Sequence, residues 1–94
     1  MSIVDDVRAA VLAIPAGSVA SYGDIGEHIG AGPRQVGRVM SLLGDNVPWW
    51  RVVHADGTPA SCHGGRAPTL LTEEGNPILR ARVDMTQARH RWSE

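Results

Sequence analysis

Cys62 and His63 are the one place in this chain where a candidate nucleophile and a candidate base are adjacent. A thiolate can accept an electrophilic carbon and an imidazole can take the thiol proton, so the pair is a candidate for covalent chemistry. Successive side chains of an extended segment leave it on opposite sides, however, which predicts that Cys62 and His63 diverge. Upstream, Pro48-Trp49-Trp50-Arg51-Val52-Val53 sets two indoles side by side. The lone pair of an indole nitrogen belongs to the aromatic system, so neither ring can act as nucleophile or base at neutral pH. What these rings offer is surface: flat, apolar area suited to packing on another ring. Tyr22, the only tyrosine, adds a phenol, and Arg34 and Arg38 add fixed cations.

The elements that must position these residues are punctuated clearly. Ser2-Ile3-Val4-Asp5 has the form of a capping box, and Val4, Val7, Val11 and Leu12 recur at helical spacing, which predicts a first helix to about residue 13. Ile14-Pro15-Ala16-Gly17 breaks it, and Ser21 is placed to cap a second helix over residues 22–29 that Gly30 closes. Gly32-Pro33 starts a third helix running to about residue 43, before Gly44. Within it Val36, Val39, Met40 and Leu43 form an inward stripe, leaving Arg34, Gly37, Arg38 and Ser41 on another face. That outer face is small, polar and cationic, as insertion of a recognition helix into a DNA groove requires. Arg51-Val52-Val53-His54 reads as a strand entering a tight turn at Asp56-Gly57, and residues 68–74 as a short helix. Leu79, Ala81 and Val83 alternate with Ile78, Arg80 and Arg82, which predicts an extended segment, and residues 85–92 form a tail anchored by Trp92.

Composition bounds the rest. A chain of 94 residues with 43% hydrophobic residues and no Phe can build one small core on Val, Leu, Ile and Ala plus a few large anchors. One cysteine cannot form an internal disulfide, and no Cys/His set at metal-ligand spacing surrounds it, so neither a structural metal nor a cofactor is expected. No apolar run is long enough to cross a bilayer, and the N-terminus lacks a signal pattern. A soluble, cytoplasmic monomer without a membrane partner is expected. The net charge of −1 is not that of a generic polyanion binder, but all 9 basic residues other than His are Arg, and a local patch can act where the sum does not.

Several ordered motifs resemble the O6-alkylguanine-DNA alkyltransferases. Ile14-Pro15-Ala16-Gly17-Ser18-Val19, Ser21-Tyr22-Gly23-Asp24-Ile25, Pro33-Arg34-Gln35-Val36-Gly37, the 48–53 segment, Gly64-Gly65 and Leu70-Leu71-Thr72-Glu73-Glu74-Gly75 follow the family's order across residues 3–79, with a tail over 80–94. The resemblance implies a mainly α, winged helix-turn-helix DNA-binding domain with a short β-hairpin, forming a single domain over residues 1–94. It implies Arg34 as the finger that fills the stack when a nucleotide rotates out, with Gly37, Arg38 and Ser41 on the same DNA-binding helix, and Tyr22 beside the flipped base. The family's active-site motif reads Pro-Cys-His-Arg-Val, so Trp49 stands at the place of the alkyl-accepting cysteine and Trp50 at that of its histidine. Glu74 matches the remaining member of that relay, left with no imidazole to orient and expected to serve as a structural hydrogen-bonding residue.

In its replaced cysteine the chain resembles the alkyltransferase-like proteins, many of which keep the histidine that Trp50 replaces here; the resemblance implies binding of an alkylated base without acceptance of its alkyl group. The expected lesion pocket comprises Tyr22, Trp49, Val52, Cys62 and His63, with Trp50 packed under the recognition helix. The implied partners are double-stranded DNA containing O6-alkylguanine, with nucleoid association when bound, and nucleotide excision repair proteins. Binding should weaken with salt, the arginines of the tail adding phosphate contacts. Two other functions stay open on the residues: alkyl transfer to Cys62, and sequence-specific regulation through Arg34, Arg38 and Ser41.

Overall fold

Ser2 caps α1 (Ile3–Leu12) by accepting the Asp5 backbone N–H at 3.2 Å in the computed structural model, which describes residues 2–92. Met1 and the last positions of the tail, Ser93 and Glu94, lie outside the described residues. Asp5 and Asp6 sit in the first turn, where carboxylates favour the helix dipole, and Val7, Ala10 and Val11 turn inward. A two-residue strand β1 (Ala20–Ser21) leads into α2 (Tyr22–Ile29) through a reciprocal cap. Ser21 Oγ accepts from Asp24 N at 3.0 Å, and Asp24 Oδ2 accepts from Ser21 N at 3.1 Å. Ser21→Ala removes one half of this cap at a site only 5% exposed. It is expected to cost about 1 kcal/mol, read as an earlier urea midpoint at unchanged slope.

Gly30, left-handed at φ 81°, ends α2, and α3 (Pro33–Leu43) begins after a short turn. That turn is tight enough to need Gly26, because a Cβ there would lie 2.3 Å from the Ala31 carbonyl oxygen. Val36, Val39, Met40 and Leu43 are buried on α3 as their spacing requires, and Arg34, Arg38 and Ser41 are exposed. α1, α2 and α3 pack on one another around Val7, Val11, Ile25 and Val36, a helix-turn-helix on a single supporting helix.

Two 3-10 turns, Gly44–Asn46 and Trp49–Arg51, lead to β2 (Val52–Val53). β2 is not an arm of a hairpin: it pairs in parallel with β1, Ala20 against Val52 and Ser21 against Val53. The Asp56-Gly57 turn does form, with Gly57 N donating to His54 O at 2.8 Å and Asp56 Oδ1 accepting from Thr58 N at 3.0 Å. The chain then goes on to α4 (Cys62–Gly65), a single turn in which His63 and Gly64 are left-handed, and α5 (Ala67–Glu73).

The hairpin lies where one extended segment was expected. β3 (Ile78–Leu79) pairs antiparallel with β4 (Arg82–Val83) around Arg80 and Ala81, both left-handed at φ 55° and 65°. The expected alternation fails with it: Leu79 is 68% exposed and Ala81 is exposed, and of that set Val83 alone is buried. Doubling back changes which side chains share a face, because the register is set by the turn rather than by a continuous strand.

After α6 (Met85–Ala88) the tail runs beside β1. Val19 N donates to Ala88 O at 2.9 Å, His90 N to Val19 O at 2.7 Å, and Trp92 Nε1 to Ala10 O at 3.0 Å, which makes Trp92 the tail's anchor on α1. Arg89 is paired with Asp24 through Nε and Nη2, which ties the tail to the start of α2. Burial opposes the charge on Asp24, but the Arg89 and Ser21 bonds outweigh it and hold that carboxyl below its usual range.

Candidate nucleic-acid interface

The parallel pairing of β1 with β2 carries the Trp49–Arg51 turn to the start of α2, and the middle of α3 forms the facing wall. A cavity of about 300 Å³ opens there. Tyr22, Gly37, Ser41, Trp49, Cys62 and His63 line it together, and Met40, Gly44 and Ala60, which were not expected in the pocket, complete it. Val52 is not brought to it: its side chain is fully buried in the core, because parallel pairing with Ala20 turns it inward.

Trp49 is the floor and is only 4% exposed. One face is covered by the His63 imidazole, stacked at 3.9 Å and 11°, and the Trp50 ring meets it edge-on at 5.8 Å. The surface a ligand meets at this wall is therefore a His63–Trp49 stack rather than a bare indole. Arg66 stands 6.0 Å from the Trp49 ring and bonds the His63 carbonyl through Nε at 3.1 Å.

Cys62 and His63 do not diverge. The left-handed backbone of His63, φ 58°, folds the segment so that Nδ1 lies 3.0 Å from Cys62 Sγ, while Nε2 lies 2.9 Å from Asp45 Oδ1. Expecting an extended chain here missed a conformation that a non-glycine residue adopts rarely. Asp45 carried no local signal; only the fold sets it across from the imidazole.

Tyr22 joins this cavity to a shallower cleft of about 430 Å³ between Arg34, Gly37 and His54. Burial pushes the Tyr22 phenol above its ordinary value, the neighbouring Cys62 adding to the shift, so at neutral pH it remains a hydrogen-bond donor. Among the described residues neither Arg34 nor Arg38 enters a salt bridge. Ser41 turns its hydroxyl back onto α3, donating to Gly37 O at 3.3 Å. The exposed edge of α3 thus offers two unpaired guanidiniums beside an aromatic-lined hole.

Behind the floor, Glu74 grips Arg51: Nε donates to Oε1 at 3.0 Å and Nη2 to Oε2 at 2.6 Å, while Nη1 donates to Ile14 O at 2.9 Å. These Arg51 bonds, working against burial, hold the Glu74 carboxyl below its usual range. The Trp50 indole N–H faces the same carboxylate closely enough to favour its charge, yet it is buried without a hydrogen bond of acceptable geometry. Trp50 is therefore a packing residue. It is wedged against both buried clusters, the larger on α1–α3 and the smaller around Val53, Leu71 and Val83, rather than lying under α3 alone.

Residues 2–76 match the family described as the DNA binding domain of 6-O-methylguanine DNA methyltransferase. Alkyltransferase-like protein 1 of Schizosaccharomyces pombe is 43% identical over 77 residues, covering 73% of this chain and 71% of that protein. The DNA base-flipping protein of Escherichia coli is 46% identical over 52 residues, 51% of this chain and 40% of the relative. Among solved structures, S. pombe Atl1 in complex with damaged DNA containing O6-carboxymethylguanine superposes with a TM-score of 0.83 at 29% identity, covering 97% of this chain and 99% of that one. The O6-methylguanine methyltransferase of Mycobacterium tuberculosis superposes with a TM-score of 0.67 at 35% identity over 79% of this chain, which spans 48% of it. On these matches and on its helix-turn-helix, the chain belongs to the 6-O-methylguanine DNA methyltransferase DNA-binding-domain family, as one of its alkyltransferase-like members.

Proposed function

We propose that this protein is a non-enzymatic sensor of DNA alkylation: it enters the minor groove with α3, rotates O6-alkylguanine into the cavity over Trp49, and holds it there without transferring a simple alkyl group. The observation that carries this reading is the aromatic-walled cavity beside the unpaired Arg34 and Arg38. An alkylated guanine has lost its N1 proton and gained an apolar group at O6, so ring and aliphatic contacts favour it over guanine. Arg34 fills the gap in the stack, Tyr22 packs beside the flipped nucleotide, and Arg38 meets phosphate. Transfer fails because the floor is an indole, with no thiolate within it.

The names of the relatives, an alkyltransferase-like protein and a base-flipping protein, support the same reading. The protein acts in the cytoplasm as a single copy, associates with the nucleoid when bound, and marks the lesion for nucleotide excision repair. A duplex containing one O6-methylguanine is expected to bind at least tenfold more tightly than the matched guanine duplex, with the masses of protein and DNA unchanged after incubation. Equal affinities sink the lesion reading; a 14 Da gain on the protein, about the mass of a transferred methylene equivalent, sinks the non-enzymatic one. Handover is read separately, as faster incision when the protein is added to purified excision-repair proteins and the lesion duplex. An unchanged incision rate removes that part.

A further inference from the structure

We propose that Asp45, His63 and Cys62 form a nucleophilic relay at the rim of the cavity, and that Cys62 covalently captures O6-alkylguanines whose substituent ends in a carbon bearing a leaving group. Such lesions are left by bifunctional alkylating agents. The inference rests on the lesion-binding reading of the same cavity and adds to it a substrate class that is trapped rather than merely held.

Three contacts carry it. Asp45 Oδ1 lies 2.9 Å from His63 Nε2, and His63 Nδ1 lies 3.0 Å from Cys62 Sγ. An ionised carboxylate only accepts, so Nε2 must carry a proton, and the nitrogen left with its lone pair toward the thiol is Nδ1. That is the order of an orienting acid, a base and a nucleophile. The third contact is the His63 ring stacked on Trp49 at 3.9 Å, which holds the imidazole in this orientation against a wall that is itself buried. Structural packing of His63 requires the stack alone; it does not require both ring nitrogens to be aimed at an acid and a thiol.

Position selects the substrate. Cys62 is exposed at the mouth, whereas Trp49 is 4% exposed at the floor. With the base seated on the floor, the carbon attached to O6 lies deep and the far end of a longer substituent lies near Sγ. In the capture step Sγ attacks that terminal carbon in line. The S–C bond forms as the C–Br bond of a bromoalkyl group breaks, and bromide departs. The thiol proton passes to Nδ1, leaving an imidazolium paired with Asp45. The O6–C bond stays intact, so the DNA remains tethered to the protein.

Two measurements on the full chain test this. The first is the rate at which iodoacetamide alkylates Cys62, followed by intact mass. The folded protein is expected to react about tenfold faster than the same chain in about 8 M urea, a reference in which the relay is absent. Asp45→Asn and His63→Gln should slow it at neutral pH while the thermal melt stays that of the wild type, whereas a purely structural Asp45 would leave the rate of the folded variant unchanged. The second measurement incubates the protein with a duplex carrying O6-(4-bromobutyl)guanine, with O6-butylguanine as control. A covalent complex that survives SDS is expected with the bromobutyl duplex alone, and none with Cys62→Ser.

A folded thiol no faster than the unfolded one overturns the relay even if lesion binding is normal. Tight binding of the bromobutyl duplex without a covalent complex overturns the capture. Fast alkylation with neither duplex bound above the guanine control leaves the relay standing, refutes the lesion reading, and overturns the capture with it.

Discussion

Arg34→Ala is expected to weaken binding to an O6-methylguanine duplex by roughly thirtyfold to a hundredfold, about 2 to 3 kcal/mol, and to leave the fold unchanged. The size follows from what the residue replaces. Rotating a nucleotide out of the helix costs a few kcal/mol of unstacking, and a side chain inserted in the gap offsets part of it. The fold should not notice, because Arg34 is exposed and unpaired in the first turn of α3, where a cation opposes the helix dipole. Arg38→Ala is the informative contrast. A residue that only meets phosphate loses affinity for lesion and control duplexes alike and reduces the salt slope by about one. Titrations of both variants against both duplexes at two salt concentrations, with thermal melts alongside, read all of this. Equal losses on lesion and control duplexes for Arg34→Ala would reassign it from finger to phosphate contact.

Glu74→Ala should be the most damaging surface-distant change, lowering stability by about 3 kcal/mol and the melting temperature by roughly 10 to 20 °C. Arg51 and Glu74 are 17% and 16% exposed, and the variant strands a guanidinium whose Nε and Nη2 lose their acceptors while Nη1 still holds the Ile14 carbonyl. The pair links the turn bearing Trp49 to the end of α5 and the end of the α1 segment, so the cavity floor should loosen with it. The same contact predicts an acid limb. The Arg51 bonds hold the Glu74 carboxyl below the ordinary carboxylate range, so its contribution to stability is complete above that range and is lost as pH falls through the lower folded value. Urea unfolding across pH 3 to 6, wild type against Glu74→Gln, reads it: the difference between the two should shrink toward the acid end. A difference that does not change with pH would mean the carboxylate charge is not what holds Arg51.

These expectations draw unevenly on the sequence. The three helices, their caps at Ser2, Ser21 and Gly32-Pro33, and the buried stripe of α3 were legible because capping and 3.6-residue periodicity are local, decided within a few positions. The motif order that placed Tyr22, Arg34, Trp49 and Glu74 was legible for a different reason: each fragment keeps its spacing along the chain. Residues 78–83 were misread as one extended segment because the turn uses Arg80 and Ala81 in left-handed conformations, without the Gly or Asn that announces such a turn. The pairing of Arg89 with Asp24 left no trace in the sequence because the two are 65 positions apart.

By itself the sequence determined a helix-turn-helix of this family, with cations on the outer face of α3 and no thiol at the floor of its cavity. Tertiary structure alone decided what faces what. Parallel pairing of β1 with β2 turned Val52 into the core, Trp50 became the wedge between two clusters, and Arg51 took both oxygens of Glu74. Asp45, in the turn after α3, was set against His63, and His63 was laid over Trp49. Contacts between residues far apart in the chain depend on where the intervening elements cross, and no local propensity records that crossing. The indole pair at 49 and 50 therefore reads in the sequence as a lost nucleophile and its lost base, and in the fold as a floor and a wedge with a separate thiol poised above them.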